Sequence, residues 1–235
     1  MTANSYVGQE LDVFARATNW KQYWSSEIRQ CLSGDVLEVG AGIGANTEVL
    51  RNDRVSSWTC LEPDPTLADR MRSAFQARRE LASCKLVVGT VETMGSTQQF
   101  DAIMYIDVLE HIADDRAELA RASKILRAGG RIIVLAPAHQ WLYTPFDRAI
   151  GHVRRYDKTT LPACTPSDCR LERLIYLDSF GMLASLGNRL LLHQTDPALN
   201  QILFWDRFLV PFSRFADRIT FHAIGKSILG IWKKA

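Results

Sequence analysis

Residues 36–44 read Val-Leu-Glu-Val-Gly-Ala-Gly-Ile-Gly: an apolar run, an acid two places before the first glycine, then glycines at every second position. Val36, Leu37 and Val39 suit a strand buried on both faces. In the turn that follows, around Ala41, Gly40, Gly42 and Gly44 can take positive φ and let the backbone approach a ligand closely. The expected ligand is a nucleoside. The next apolar run ends Leu61-Glu62-Pro63-Asp64, and Glu62 lies about 20 residues after the glycine turn, where a carboxylate accepts bonds from both ribose hydroxyls. A dinucleotide turn reads Gly-x-Gly-x-x-Gly and seats a pyrophosphate on a helix N-terminus. Here the third glycine comes one residue early and Glu38 points into the site from within the strand. An acid aimed at the ligand suits a cationic group such as a sulfonium amino acid and repels a pyrophosphate. The pattern favours S-adenosylmethionine; forcing Gly-x-Gly-x-x-Ala onto Gly40–Ala45 keeps an NAD(P)-binding oxidoreductase as the alternative.

These groups need elements to position them. Strand-like runs at 35–39, 58–61, 85–88, 102–106 and 131–136 alternate with helix-like runs at 47–52, 65–79 and 115–127. The last of these has acids in its first turn and stops at Gly129-Gly130. Repeated β-α alternation implies a mostly parallel, doubly wound sheet with helices on both faces. Two further strands are expected at 171–177 and 227–232, separated by a helical insertion over 178–224 rich in Phe, Trp and Arg. Ahead of the first strand, residues 10–32 read as an aromatic helix that packs on the sheet or caps the cofactor. The expectation is one domain over 1–235: a 10–32 cap, a 35–136 cofactor-binding core, a 137–170 substrate loop region and the insertion.

The bulk numbers bound the function less tightly. With 235 residues, 47% hydrophobic and 23% charged, the chain is long enough to bury a sizeable core. Net charge is +2 and the pI 8.3, so no strong field points to nucleic acid. Five scattered cysteines without a Cys-x-x-Cys pair suggest a reducing, cytoplasmic setting. Neither a signal peptide nor a membrane-spanning run is read from the sequence. The insertion is too apolar for a linker and reads as a lid, a dimer face or a peripheral membrane contact. The oligomeric state is not legible.

Adding Gly89-Thr90-Val91-Glu92 and Phe100 to His111 to the first two blocks, the chain resembles the class I S-adenosylmethionine-dependent methyltransferases over about residues 35–136. The resemblance implies that Glu38, Gly40, Gly42 and Gly44 hold the methionine part and that Glu62 holds the ribose. The loop at Thr90-Val91 would border adenine, and Ile106-Asp107 would lie beside the amino group. Asp is common in the family where this chain has Thr90. Members acting on base amines or glutamine amides carry Asn/Asp-Pro-Pro-aromatic where this chain reads Ile106-Asp107-Val108-Leu109, which argues against those substrates. The block 136–156 is similar to a bacterial branch associated with saccharide or lipid-linked glycan pathways, with echoes at Asn188, Asp206-Arg207, Pro211 and Gly225-Lys226-Ser227. The implied acceptor is a small molecule or a lipid-linked saccharide, methylated on oxygen. For an oxygen nucleophile His152 is the expected general base, since imidazole titrates near neutral pH. Asp147 would orient it or bind a substrate hydroxyl, Tyr156 and Arg155 would bind polar groups, and His111 is the rival base. Asp107, Glu110, His111 and His152 also match in type the ligands of some magnesium-dependent O-methyltransferases; the reading without metal is preferred.

Overall fold

The computed structural model describes residues 10–78, 80–95, 98–187 and 199–235. In chain order these form α1 (Glu10–Ala15), α2 (Thr18–Ile28), β1 (Gly34–Val39), α3 (Thr47–Leu50), β2 (Val55–Glu62), α4 (Pro65–Gln76), β3 (Lys85–Val88) and β4 (Phe100–Ile106). Then follow α5 (Asp115–Lys124), β5 (Leu126–Pro137), α6 (Pro145–Ala149), β6 (Cys169–Leu177), α7 (Ser179–Gly187), α8 (Leu199–Phe204), a π-helical turn (Trp205–Leu209), α9 (Val210–Ile219) and β7 (Ser227–Lys234). The seven strands make one sheet in the order β3-β2-β1-β4-β5-β7-β6. β1 to β5 pair in parallel, and β7 runs antiparallel between β5 and β6. The doubly wound seven-stranded expectation is met.

Alternation along each strand explains the layering. Val36, Met104 and Ile133 enter one core with Trp24, Trp58, Met71 and Phe75, whereas Leu37, Ile103, Tyr105 and Val134 enter the other with Leu119 and Trp232. Both faces of the central strands are therefore buried, as apolar runs without polar alternation require. The strand order reverses between β1 and β4, and open α/β sheets bind ligands at such a switch point. Local signals fix the helix starts: Asp64 accepts from Thr66 N and Leu67 N at α4, and Asp114 accepts from Ala117 N at α5.

Two expectations need correction. The helix read over 115–127 ends at Lys124, and Gly129-Gly130 lies within β5 rather than at the helix stop. Leu126 pairs with Phe100 and Arg127 bridges Asp35 and Asp101, so sheet contacts claim these residues. The single helix read over 10–32 is two helices, α1 and α2, followed by a 3-10 turn at Arg29–Cys31.

Buried acids hold the two appendages together. Asp206 accepts from Asn19 N and Nδ2 and from Trp20 N, capping α2 from the far end of the chain. Asp217 accepts from Tyr23 Oη at 2.8 Å and from Asp178 N and Ser179 N at the start of α7. Asp178, at φ 68°, accepts from Gly181 N, Trp205 Nε1 and Ser213 Oγ. Asn188 and the rest of 188–198 lie outside the described residues. Among the described residues no helix is long and apolar enough to cross a membrane.

Candidate active site

The glycine turn leaves β1 at the switch point. Gly40, Gly42 and Gly44 have φ of 65°, 56° and 79°. A Cβ on Gly40 would fall 2.6 Å from Val108 Cγ2 and one on Gly44 2.5 Å from the Phe75 ring, so packing and backbone both demand glycine. At Gly42 the nearest atom would be Leu11 Cδ1 at 3.7 Å, which leaves that face of the turn open. Gly40 N and Ala41 N both donate to Leu61 O, binding the turn to β2.

Three acids face this region. Glu62 is buried and accepts from Gly42 N and Asp64 N at 2.8 and 2.9 Å, linking the two ligand loops; burial raises its pKa. A carboxylate has about four acceptor directions, so lone pairs remain for two hydroxyls. Glu38 is also buried, and its Oε2 accepts from Thr47 Oγ1 and Trp58 Nε1. Its Oε1 is buried with no partner among the described residues. Burial outweighs these bonds and the nearby Lys21, and pushes the Glu38 carboxyl up to about 7. Asp107, at φ 54° directly after β4, is solvent-accessible. The surrounding protein raises its carboxyl to about 6, against the pull of His152, Lys226 and Lys21.

Of the other expected cofactor residues, Pro63 is exposed at the end of β2. Thr90 is exposed in a turn where Thr93 Oγ1 bonds its N–H and carbonyl. Val91 and Ile106 are buried in the two cores.

The acceptor side is built by strapping the 151–156 segment onto the loop after β4. Val153 N donates to Glu110 O, Arg154 bonds Asp115 and Ala113 O, and Tyr156 Oη donates to Asp115 Oδ2 and lies 3.2 Å from Leu109 O. Tyr156 is thus a buried tie, not an open substrate contact. Asp147 sits three residues after Thr144 in a capping box, with its Oδ2 accepting from Thr144 N and Oγ1 at 2.8 Å. The same carboxylate meets Arg155 in a two-pronged pair at 2.9 and 2.8 Å and His152 Nδ1 at 2.9 Å. Arg155 is therefore consumed by Asp147. Burial alone would raise the Asp147 carboxyl, but the bonds from His152 and Arg155 outweigh it and hold it well below the usual range.

With Nδ1 fixed by Asp147, His152 directs Nε2 towards Glu110 Oε1, 3.7 Å away. The His111 ring stands edge-on to His152 at 4.7 Å. Burial, then the His152 neighbour, lowers His111 to about 4, so it is neutral at pH 7. Glu110 is fully buried, neither oxygen has a hydrogen-bond partner among the described residues, and burial raises its pKa strongly. Ligand atoms of Glu110, His111 and His152 lie within 4.8 Å of one another, and Asp107 is not in that set.

Two lysines complete the site. Lys21, buried on α2, donates to Ala45 O; Lys226, before β7, lies over the Trp205 ring at 5.3 Å. The motif-based reading passed over Lys21, although a lysine inside the apolar stripe Trp20, Tyr23, Trp24 was the signal available.

A family model described as a methyltransferase domain matches residues 37–134, the stretch that holds the glycine turn, Glu62 and the loop after β4. Over that stretch, less than half of its length, the chain is similar to methyltransferase domains. Among sequence relatives of the methyltransferase domain, a ubiquinone biosynthesis O-methyltransferase of Bradyrhizobium sp. (strain ORS 278) is 28% identical over 112 residues, covering 47% of this chain and 43% of that protein. A demethylmenaquinone methyltransferase of Tropheryma whipplei (strain Twist) is 24% identical over 126 residues, covering 54% of this chain and 51% of that protein. The chain thus matches about half the length of these relatives. The fold itself extends further. An S-adenosylmethionine-dependent methyltransferase from Clostridium acetobutylicum ATCC 824 superposes with TM-score 0.61 at 10% identity, over 97% of this chain and 95% of that one. The [4+2]-cyclase SpnF superposes with TM-score 0.62 at 13% identity, over 92% and 81%. One fold therefore carries differing reactions, and the acceptor chemistry has to come from the site. The methyltransferase match displaces the nicotinamide alternative.

Proposed function

We propose that this chain is an S-adenosylmethionine-dependent O-methyltransferase whose acceptor is a hydroxyl of a small-molecule or lipid-linked compound. The observation that carries the reading is Asp147 holding His152 by Nδ1 beside the loop after β4. The residues at the glycine turn fit the cofactor. Glu38 offers a buried, unpartnered oxygen to a cationic amino-acid part, Gly42 leaves its face open, and Glu62 retains acceptor capacity for a ribose. Asp107, at the end of β4, supplies a second anion. S-adenosylmethionine, when bound there, supplies an electrophilic methyl group on a sulfonium.

The chain's own residues align the acceptor and accept its proton. His152 Nε2 would take the acceptor hydroxyl's proton, and Asp147 would stabilise the imidazolium that results. Neutral His111 lines the same space. The Bradyrhizobium relative, named as an O-methyltransferase of ubiquinone biosynthesis, supports a small hydroxylated acceptor, and the appendages at 10–32 and 178–224 are read as parts of the same domain because buried acids tie their described residues to each other.

A second reading rests on one observation, the convergence of Glu110, His111 and His152. These three would hold a divalent ion that acidifies the hydroxyl. The test is S-adenosylhomocysteine release with a panel of phenolic, quinol and lipid-linked saccharide acceptors, with magnesium added or chelated. His152→Ala should lower turnover about a hundredfold or more with S-adenosylhomocysteine affinity unchanged. Transfer to amine acceptors alone, or full turnover by His152→Ala, overturns the O-methyl reading. Loss of turnover on chelation selects the metal reading.

A further inference from the structure

The α8–α9 stretch turns its acids inward and its cations outward. Asp206 and Asp217 are buried on α2 and α7, whereas Arg207, Arg214 and Arg218 are all exposed. Between the arginines run Phe204, Phe208, Phe212, Phe215 and Ile219, at helical spacings of four, four, three and four. This row is open to solvent: Phe212 is 61% exposed and Phe215 69%. Phe180 of α7 extends the row, with its ring 6.0 Å from that of Phe212. Soluble surfaces rarely leave so continuous a line of large apolar groups uncovered.

We propose that this face is an interfacial anchor that seats on a bilayer leaflet carrying anionic headgroups. The charge pattern selects that occupant. An apolar row flanked only by cations matches a surface with an acyl layer below and phosphate above, where arginines stay at headgroup level and aromatic rings enter the acyl boundary. The helix is neither long nor apolar enough to cross, so it lies in the plane. The buried side of the same element reaches the site: Trp205 and Ser213 bond Asp178, and Asp178 O accepts from Lys226 N. Seating on a leaflet would bring the acceptor side of the sheet close to the lipid. The inference goes beyond the acceptor reading and does not require it.

The test is flotation of the full chain with vesicles of phosphatidylcholine alone and of phosphatidylcholine mixed with phosphatidylglycerol, with no acceptor present. The wild type should bind the mixed vesicles and release as salt rises. Arg214→Gln/Arg218→Gln should weaken binding roughly 25-fold, at about fivefold for each arginine. Phe212→Ser/Phe215→Ser should weaken it by roughly tenfold or more. Both pairs are exposed, and unchanged S-adenosylhomocysteine affinity checks that each variant is folded. No wild-type binding to the anionic vesicles, or equal binding by the phenylalanine variant, overturns the proposal. Self-association in sedimentation velocity that the same substitutions abolish would assign the face to a second copy and overturn it as well.

Discussion

Glu38 makes cofactor affinity depend on pH in a way that needs no acceptor to measure. The free protein holds this carboxyl at about 7, and a cationic amino-acid part beside its unpartnered oxygen favours the ionised form. Below pH 7 the ligand must therefore displace a proton. At pH 6 the protonated form outnumbers the ionised one by about ten to one, so binding should be about tenfold weaker than at pH 8, or about 1.4 kcal/mol. Calorimetric titration of S-adenosylhomocysteine in two buffers of different ionisation enthalpy should show about one proton released per site at pH 6 and almost none at pH 8. Stability runs the other way. The folded pKa of Glu38 lies above its ordinary 4.5, so its contribution is fully present below about 4.5 and lost as pH rises through about 7. The difference is on the order of 3 kcal/mol. Glu38→Gln should flatten both curves, binding ligand more weakly at pH 8 while unfolding at higher denaturant there. Asp107, at about 6, adds to the slope at the acid end and remains in the variant. Affinity flat between pH 6 and 8, or an unaltered slope in Glu38→Gln, refutes the assignment of Glu38 to the cationic part.

Glu62→Ala should weaken S-adenosylhomocysteine binding by about 1.5 to 3 kcal/mol, read by the same titration, and should loosen both loops because Gly42 N and Asp64 N lose their acceptor. Asp147→Asn leaves Arg155 buried beside a neutral group and should lower stability by about 3 to 5 kcal/mol in urea unfolding, while Asp147→Asn/Arg155→Met should recover part of that loss. Asp147's folded pKa is depressed, so its stabilisation is present above the ordinary carboxylate range, lost only in strong acid, and missing at neutral pH in the variant. Asp206→Ala removes the cap on α2 and should cost about 1 to 3 kcal/mol, with far-ultraviolet dichroism reporting the lost helix.

What the sequence revealed follows the range of the forces involved. The strands were legible because burial on both faces leaves unbroken apolar runs, and the glycine turn because positive φ restricts residue type. Asp147 was partly legible too: Thr144-x-x-Asp147 is a local capping pattern, and the partners His152 and Arg155 lie within eight residues. The boundary between α5 and β5 was misplaced because Gly129-Gly130 resembles a helix stop, whereas the register of Leu126 on Phe100 and the Arg127 pairs are set by strands far away in sequence. Arg155 and Tyr156 looked like substrate groups because their residue types allow it; only the distant acceptors at Leu109 and Asp115 and the shape of the 144–155 turn reveal that they are already engaged. Asp206 stood out in the sequence only as part of a family echo, and Asp217 carried no signal, because their partners Trp20 and Tyr23 lie across the whole chain.

That last arrangement sets an order of events during synthesis. Trp20, Tyr23 and Trp24 emerge from the ribosome early, but the carboxylate that caps their helix arrives with Asp206 and the one that takes the Tyr23 hydroxyl with Asp217. Until then α2 lacks its carboxylate cap and the Trp205 ring that Trp20 packs against, and part of its aromatic stripe stays uncovered. A chain interrupted before Asp206 would leave α2 unfinished as well.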